Sequence, residues 1–149
     1  MILLVHLLFG AAIGSSIKNI YLAVILAFLS HYLLDLLPHI EYPIENIEKK
    51  QWQKAIPDFS RVILDFFLGI LLIAIFSKNQ PIIYICAFLA ILPDGFTVLN
   101  YLLPTKILEI HNNFHQKIHF LKDKKISNFW RISSQIAIFI ISIILLIKY

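Results

Sequence analysis

One cysteine, Cys86, in 149 residues leaves no partner for a disulfide and no thiolate set for a metal centre, so any cation here must be held by histidine and carboxylate. Charge is also scarce. Asp, Glu, Lys and Arg make up 15% of the chain, against about 25% in an ordinary soluble domain. There is no Gly-rich phosphate-binding loop, which speaks against nucleotide-driven chemistry. The lone Asp94-Gly95 step does not supply the repeated aspartates of a lipid alcohol phosphotransferase. No internal repeat or low-complexity tract is present. A basic leader with a small-residue cleavage site is missing too, so Met1 to Ile17 is expected to be a retained first span.

What the chain has in quantity is hydrocarbon. Hydrophobic residues make up 59% of it and the mean hydropathy is +0.80. These values predict an all-α integral membrane protein, a single transmembrane helical domain over residues 1–149. About five apolar segments approach the ~20 residues a helix needs to cross the hydrocarbon core: 1–17, 20–37, 61–76, 81–103 and 129–147. Connections 38–60 and 104–128 are polar. Within the second, Lys106, Lys117 and Lys122 alternate with Leu108, Ile110, Phe114, Ile118 and Phe120, which predicts a basic amphipathic helix at the membrane surface.

Ten of the 13 Lys and Arg residues fall in or beside those two connections. The positive-inside rule then predicts a cytoplasmic N-terminus, an outer C-terminus and both long connections inside. The net charge of +4 is largely this topological signal and gives no reason to expect nucleic acid. A bacterial or archaeal plasma membrane is the expected location.

Against this background the polar residues stand out. His31 and Asp35 are four apart, so a helix puts them on one face, and His39 follows Pro38. His6, Asp65 and Asp94 lie at the inner level of their spans, and His111, His115 and His119 repeat every four residues in the second connection. An ionisable group within a span is costly unless it has a partner. The shared level predicts one polar cavity, with His6, His31, Asp35, His39, Asp94, His111 and His115 as metal ligands and Asp65 and Asp94 as catalytic carboxylates. His119 is expected to stay on the polar face of its helix. Plainer readings stand beside these: an interhelical hydrogen bond for His31 and Asp35, a helix cap for Asp94, a basic partner for Asp65, and a solvated loop position for His39.

Several of these residues fall in motifs. His6-Leu7-Leu8-Phe9, Ser30-His31-Tyr32-Leu33-Leu34-Asp35, Leu92-Pro93-Asp94 and His111-Asn112-Asn113-Phe114-His115 resemble elements of the membrane-bound predicted metal-dependent hydrolases of the LexA-regulated enterobacterial type. The Ser-His element comes second here instead of last, and Leu-Pro-Asp is not followed by Asp-His. The His31 to His39 stretch is also similar in its chemistry to the zinc-dependent phospholipase C and S1/P1 nuclease group. The resemblance implies a hydrolase using a divalent metal. His and carboxylate ligands suit zinc, with manganese or iron as substitutes. A cavity at headgroup depth predicts a phospholipid or lipid-linked phosphoester as substrate. A metal- or proton-coupled transporter and a non-catalytic scaffold are the alternatives. A homo-oligomer would help bury the cavity walls, although no residue specifies one.

Overall fold

A computed structural model describes residues 1–42, 45–119, 121 and 124–149. Lys122 and Phe120, assigned above to the amphipathic helix, lie outside the described residues. The elements are α1 (Leu3–Ser16), α2 (Ile20–Asp35), α3 (Glu45–Glu48), α4 (Trp52–Phe76), α5 (Pro81–Leu102), α6 (Lys106–Ile118) and α7 (Asn128–Lys148), with no strand among the described residues.

Three of these helices, α4, α5 and α7, are long and apolar enough to cross a membrane. The expected five spans are not confirmed. With 14 and 16 residues, α1 and α2 reach only about 20–25 Å at 1.5 Å per residue, short of a core of about 30 Å. The hydrophobicity of α1 has another cause. The first helix is apolar all round because it is surrounded by protein, packing against α2, α4, α5 and α7. The expected third span is also longer than its apolar run, since α4 begins at Trp52 instead of Arg61. A polar extension is helical too, and hydropathy does not register it.

Asn19 caps α2 by accepting from Leu22 N at 3.1 Å, and α1 and α2 run back to back as a hairpin. The start of α1 therefore meets the end of α2, with the Met1 nitrogen 2.7 Å from Asp35 Oδ1. Close packing fixes this hairpin to α5. A Cβ built on Gly10 would lie 2.5 Å from Ala90 Cβ and 2.6 Å from the Cys86 carbonyl, and one on Gly14 would lie 2.9 Å from Cys86 Cβ. Small residues let these backbones approach, as in membrane helix pairs. Large apolar side chains are exposed along α2, α4 and α7, including Leu29, Leu64, Phe67, Ile140 and Ile144. So much contiguous apolar surface suits lipid far better than water.

The amphipathic helix is present as α6. Thr105 caps it by accepting from Leu108 N, its apolar Ile107, Ile110 and Phe114 are exposed, and His115 is buried against the bundle. The close approach at Gly10 yields a paired expectation. Gly10→Ala should lower stability by about 1–3 kcal/mol through overpacking. Gly95→Ala, whose Cβ meets nothing within 4 Å, should be neutral or stabilising by up to about 1 kcal/mol. Thermal unfolding in one detergent compares the two, and equal melting points would contradict the packing described.

Candidate metal centre

Asp35 ends α2 and is 1% exposed, yet six basic groups converge on its carboxylate. His31 Nε2, His115 Nε2 and His119 Nε2 lie 3.0, 3.3 and 3.2 Å from Oδ2. His6 Nε2 and the Met1 nitrogen lie 3.2 and 2.7 Å from Oδ1, and His39 Nε2 lies 3.8 Å away. Asp94 Oδ1, on α5, closes the group at 3.6 Å from His31 and 3.8 Å from His115. Two sets result, sharing Asp35: His31, Asp35, Asp94 and His115, and Asp35, His39 and His119, each with ligand atoms within 4.8 Å of one another. Both sets can hold a metal ion.

The ring orientations make this more than proximity. His31 Nδ1 lies 2.8 Å from the Ala90 carbonyl and His39 Nδ1 lies 2.7 Å from the Leu37 carbonyl. A carbonyl only accepts, so Nδ1 carries the hydrogen in both rings. Thr97 Oγ1 donates to the Pro93 carbonyl and therefore accepts from His115 Nδ1 at 2.9 Å. His119 has a carboxylate beside each nitrogen, Glu41 Oε1 2.8 Å from Nδ1 and Asp35 Oδ2 3.2 Å from Nε2, an arrangement that favours a positive charge on this ring. The rings of His31, His39 and His115, with Nδ1 committed, thus direct Nε2 to the centre. His31 and His115 face each other at 3.0 Å, and His115 and His119 at 3.2 Å. Lone pairs at that distance repel unless a proton or cation lies between them. Ligands about 2.0–2.1 Å from a tetrahedral ion would be about 3.3–3.4 Å apart, close to the separations seen. Fastening Nδ1 to an acceptor is also how metal-bound imidazoles are held in place.

Without a cation, protons must take its place. Burial disfavours charge on His119, but the Asp35 and Glu41 carboxylates outweigh it, and its pKa is pushed up to about 9.

The supporting contacts have local causes. His31 Nδ1 reaches across to the Ala90 carbonyl of α5, in the turn that precedes Pro93 and Asp94, so one turn of α5 both orients His31 and supplies the second carboxylate. The His39 segment is held from α7: Arg131 Nη1 donates to the His39 carbonyl at 3.0 Å, Gln135 Nε2 to the Ile40 carbonyl at 2.7 Å, and Ser134 Oγ to the Pro38 carbonyl. Those three donors share one face of α7 by their spacing.

Comparison with family models, curated proteins and solved structures gives no match. The centre therefore stands on its own geometry.

The remaining expected residues are distributed as follows. His6 is fully buried and stacks on His31 with ring centroids 4.2 Å apart. It reaches Asp35 from the Oδ1 side, outside both ligand sets, and neither ring nitrogen has a hydrogen-bond partner. His111 turns its Nε2 to the Tyr32 hydroxyl at 3.1 Å and also lies outside both sets; burial, then the neighbouring His115, lowers its pKa. Asp65 stands apart. Its Oδ2 accepts from Leu4 N at 2.7 Å and from the Tyr42 hydroxyl, so it caps the start of α1 from a neighbouring helix. Burial, followed by the hydrogen bond to Asp65, raises the Tyr42 phenol well above its ordinary range.

Sequence reasoning did not anticipate His119, Glu41 or Thr97. For His119 a signal existed, because it continues the four-residue stripe of His111 and His115. Glu41 and Thr97 act through ring nitrogens that only the fold reveals.

Asp35→Asn should reduce zinc retained after purification without chelator at least tenfold. Thr97→Val should weaken zinc affinity about 10–100-fold. Asp65→Asn should leave zinc content unchanged and lower the melting temperature. Elemental analysis and zinc titration read all three, and full zinc content in Asp35→Asn would remove the centre from consideration.

Proposed function

We propose that this protein is a membrane-embedded metal-dependent hydrolase, acting on a phospholipid or lipid-linked phosphoester through a metal-activated water. The observation that carries the reading is the convergence of three Nε2 atoms, of His31, His115 and His119, on one buried carboxylate. In this reading His31, Asp35 and His115 hold the cation, taken as zinc with manganese or iron as substitutes. Such a cation supplies Lewis-acid polarisation of a phosphoryl oxygen and a water whose pKa is about 7.

Asp94 has a different task. Its side chain is 34% exposed and lines a cavity of about 110 Å³ with Leu3, Tyr42, Val62, Thr97 and His115. A carboxylate facing open space can accept a proton from water and release it, whereas the Asp35 carboxylate is surrounded. Asp94 is therefore assigned as general base. Tyr42, fastened by Asp65, forms the opposite wall, so Asp65 acts in this reading by positioning. His119 and Glu41 stand at the rim, where a leaving alcohol or phosphate would depart.

The substrate class follows from depth. From Asp35 the α1–α2 hairpin, the later parts of α4 and α7 and the part of α5 before Asp94 all extend the same way by about 20 Å, so in this reading the centre lies near one edge of the hydrocarbon. The excess of Lys and Arg in connections 38–60 and 104–128 assigns that edge to the cytoplasmic leaflet. A phosphoester at headgroup level could reach it without leaving the bilayer. The four motifs that resemble elements of membrane-bound metal-dependent hydrolases favour the same chemistry.

Zinc-loaded protein in mixed micelles should release the headgroup or phosphate from a phospholipid, measured by phosphorus NMR. Asp94→Asn should lower kcat about 100-fold or more while retaining most of the zinc. If the loaded wild-type protein hydrolyses no phosphoester, or if Asp94→Asn matches it, the hydrolase reading is lost.

A further inference from the structure

The helices α4 and α5 both pack against α1 but make almost no contact with one another. Between them runs a seam floored by α1. At the level of the metal centre the seam is the cavity bounded by Leu3 of α1, Val62 of α4 and Asp94 and Val98 of α5. One helical turn further on, Leu7 succeeds Leu3 and Phe66 succeeds Val62. There a second cavity, about 420 Å³, opens between Phe66 and Ile70 of α4 and Ile85, Phe88 and Leu89 of α5. Its lining carries no charged residue, and Ile85 and Phe88 are half exposed on the outer surface of the bundle. From Val62 to Ile70 the seam runs about 12 Å along α4.

We infer that this seam binds one hydrocarbon chain of a membrane phospholipid whose phosphate lies at the metal centre. The inference rests on the hydrolase reading and adds where the substrate's tail lies. The seam is polar at one end only. Histidines and Asp94 mark the cation end, and apolar side chains line the rest, which matches an amphiphile with one anionic group and one long chain. Both walls belong to helices long and apolar enough to cross a membrane, so the medium at the half-exposed outer side is lipid. A chain can enter sideways there, whereas water in an apolar groove is unfavourable. A helix from a second copy would cover the seam but bring no anion to its polar end. Phe66, Ile70 and Phe88 are then chain-contacting residues that set preference for tail length, distinct from those holding the cation.

The test uses zinc-loaded full-length protein in bilayer nanodiscs containing phosphatidylglycerol with a diazirine midway along one acyl chain. Photolysis followed by peptide mass spectrometry should place labels on Phe66, Ile70 and Phe88 in clear excess over Ile136, Ile140 and Ile144, the lipid-facing residues of α7. The double substitution Ile70→Trp with Leu89→Trp should fill the seam. It should cut that labelling about tenfold and lower kcat/KM for long-chain ester about tenfold relative to a dihexanoyl ester, with zinc content unchanged. Even labelling of α4, α5 and α7 in the wild-type protein overturns the inference without recourse to any variant. So does labelling that the tryptophans leave intact, or a protein-to-protein cross-link through the seam, which would identify a second copy as its occupant. If neither ester is hydrolysed, the hydrolase reading fails, while seam-confined labelling still supports chain binding. If the dihexanoyl ester is hydrolysed and the tryptophans do not alter long-chain turnover, the seam fails and the hydrolase reading stands.

Discussion

A carboxylate excluded from water must have positive charge beside it, and in this protein Asp35 imposes that requirement on everything around it. An unpaired buried carboxylate would cost several kcal/mol. The chain answers with imidazoles drawn from α1, α2, α6 and the segment after Pro38. Imidazoles whose Nδ1 hydrogens are committed to the Ala90 and Leu37 carbonyls and to Thr97 have only Nε2 left to turn toward the carboxylate, where a proton or a cation must lie between them. The cluster is thus over-provided with donors of electron density and short of something to receive them. That shortage gives the centre its chemical character.

The helices can meet the requirement because α1 runs through the middle of the bundle. Gly10 and Gly14 bring it against α5 at a distance no larger side chain would allow, and Asp65 of α4 fixes its first turn. With its start held in this way, His6 is stacked against His31 and the end of α2 is set beside α5. The apolar packing of Leu7, Leu8, Ala11 and Ala12 therefore does more than fill space, since it sets the depth at which the polar layer sits.

Much of that layer could be read from residue spacing. The interval from His31 to Asp35, the proline before Asp94 and the stripe containing His115 each indicated a face or a level, and the structure brings all of them together. Spacing along a helix gives height but not the neighbour a side chain meets. For that reason Asp65, at a comparable level, pairs with Leu4 and Tyr42, and His111, one turn from His115, pairs with Tyr32. Hydropathy has a similar blind spot. It reports that a segment avoids water but not whether lipid or protein surrounds it, so α1 resembled a span when its apolar surface is in large part spent on α2, α4, α5 and α7.

The grip of α7 on the segment carrying His39 has a consequence for biosynthesis. The carbonyls of Pro38, His39 and Ile40 are held by donors 96, 92 and 95 residues further along the chain, and His115 and His119 also come late. While the ribosome is still making the middle of the protein, His31 and Asp35 lack the later members of the cluster, His115 and His119. The cluster that could hold a metal ion is therefore complete only when α6 has been made, and the His39 segment is fixed only when α7 has been added, whereas Asp35 meets Met1, His6 and His31 from the first two helices alone.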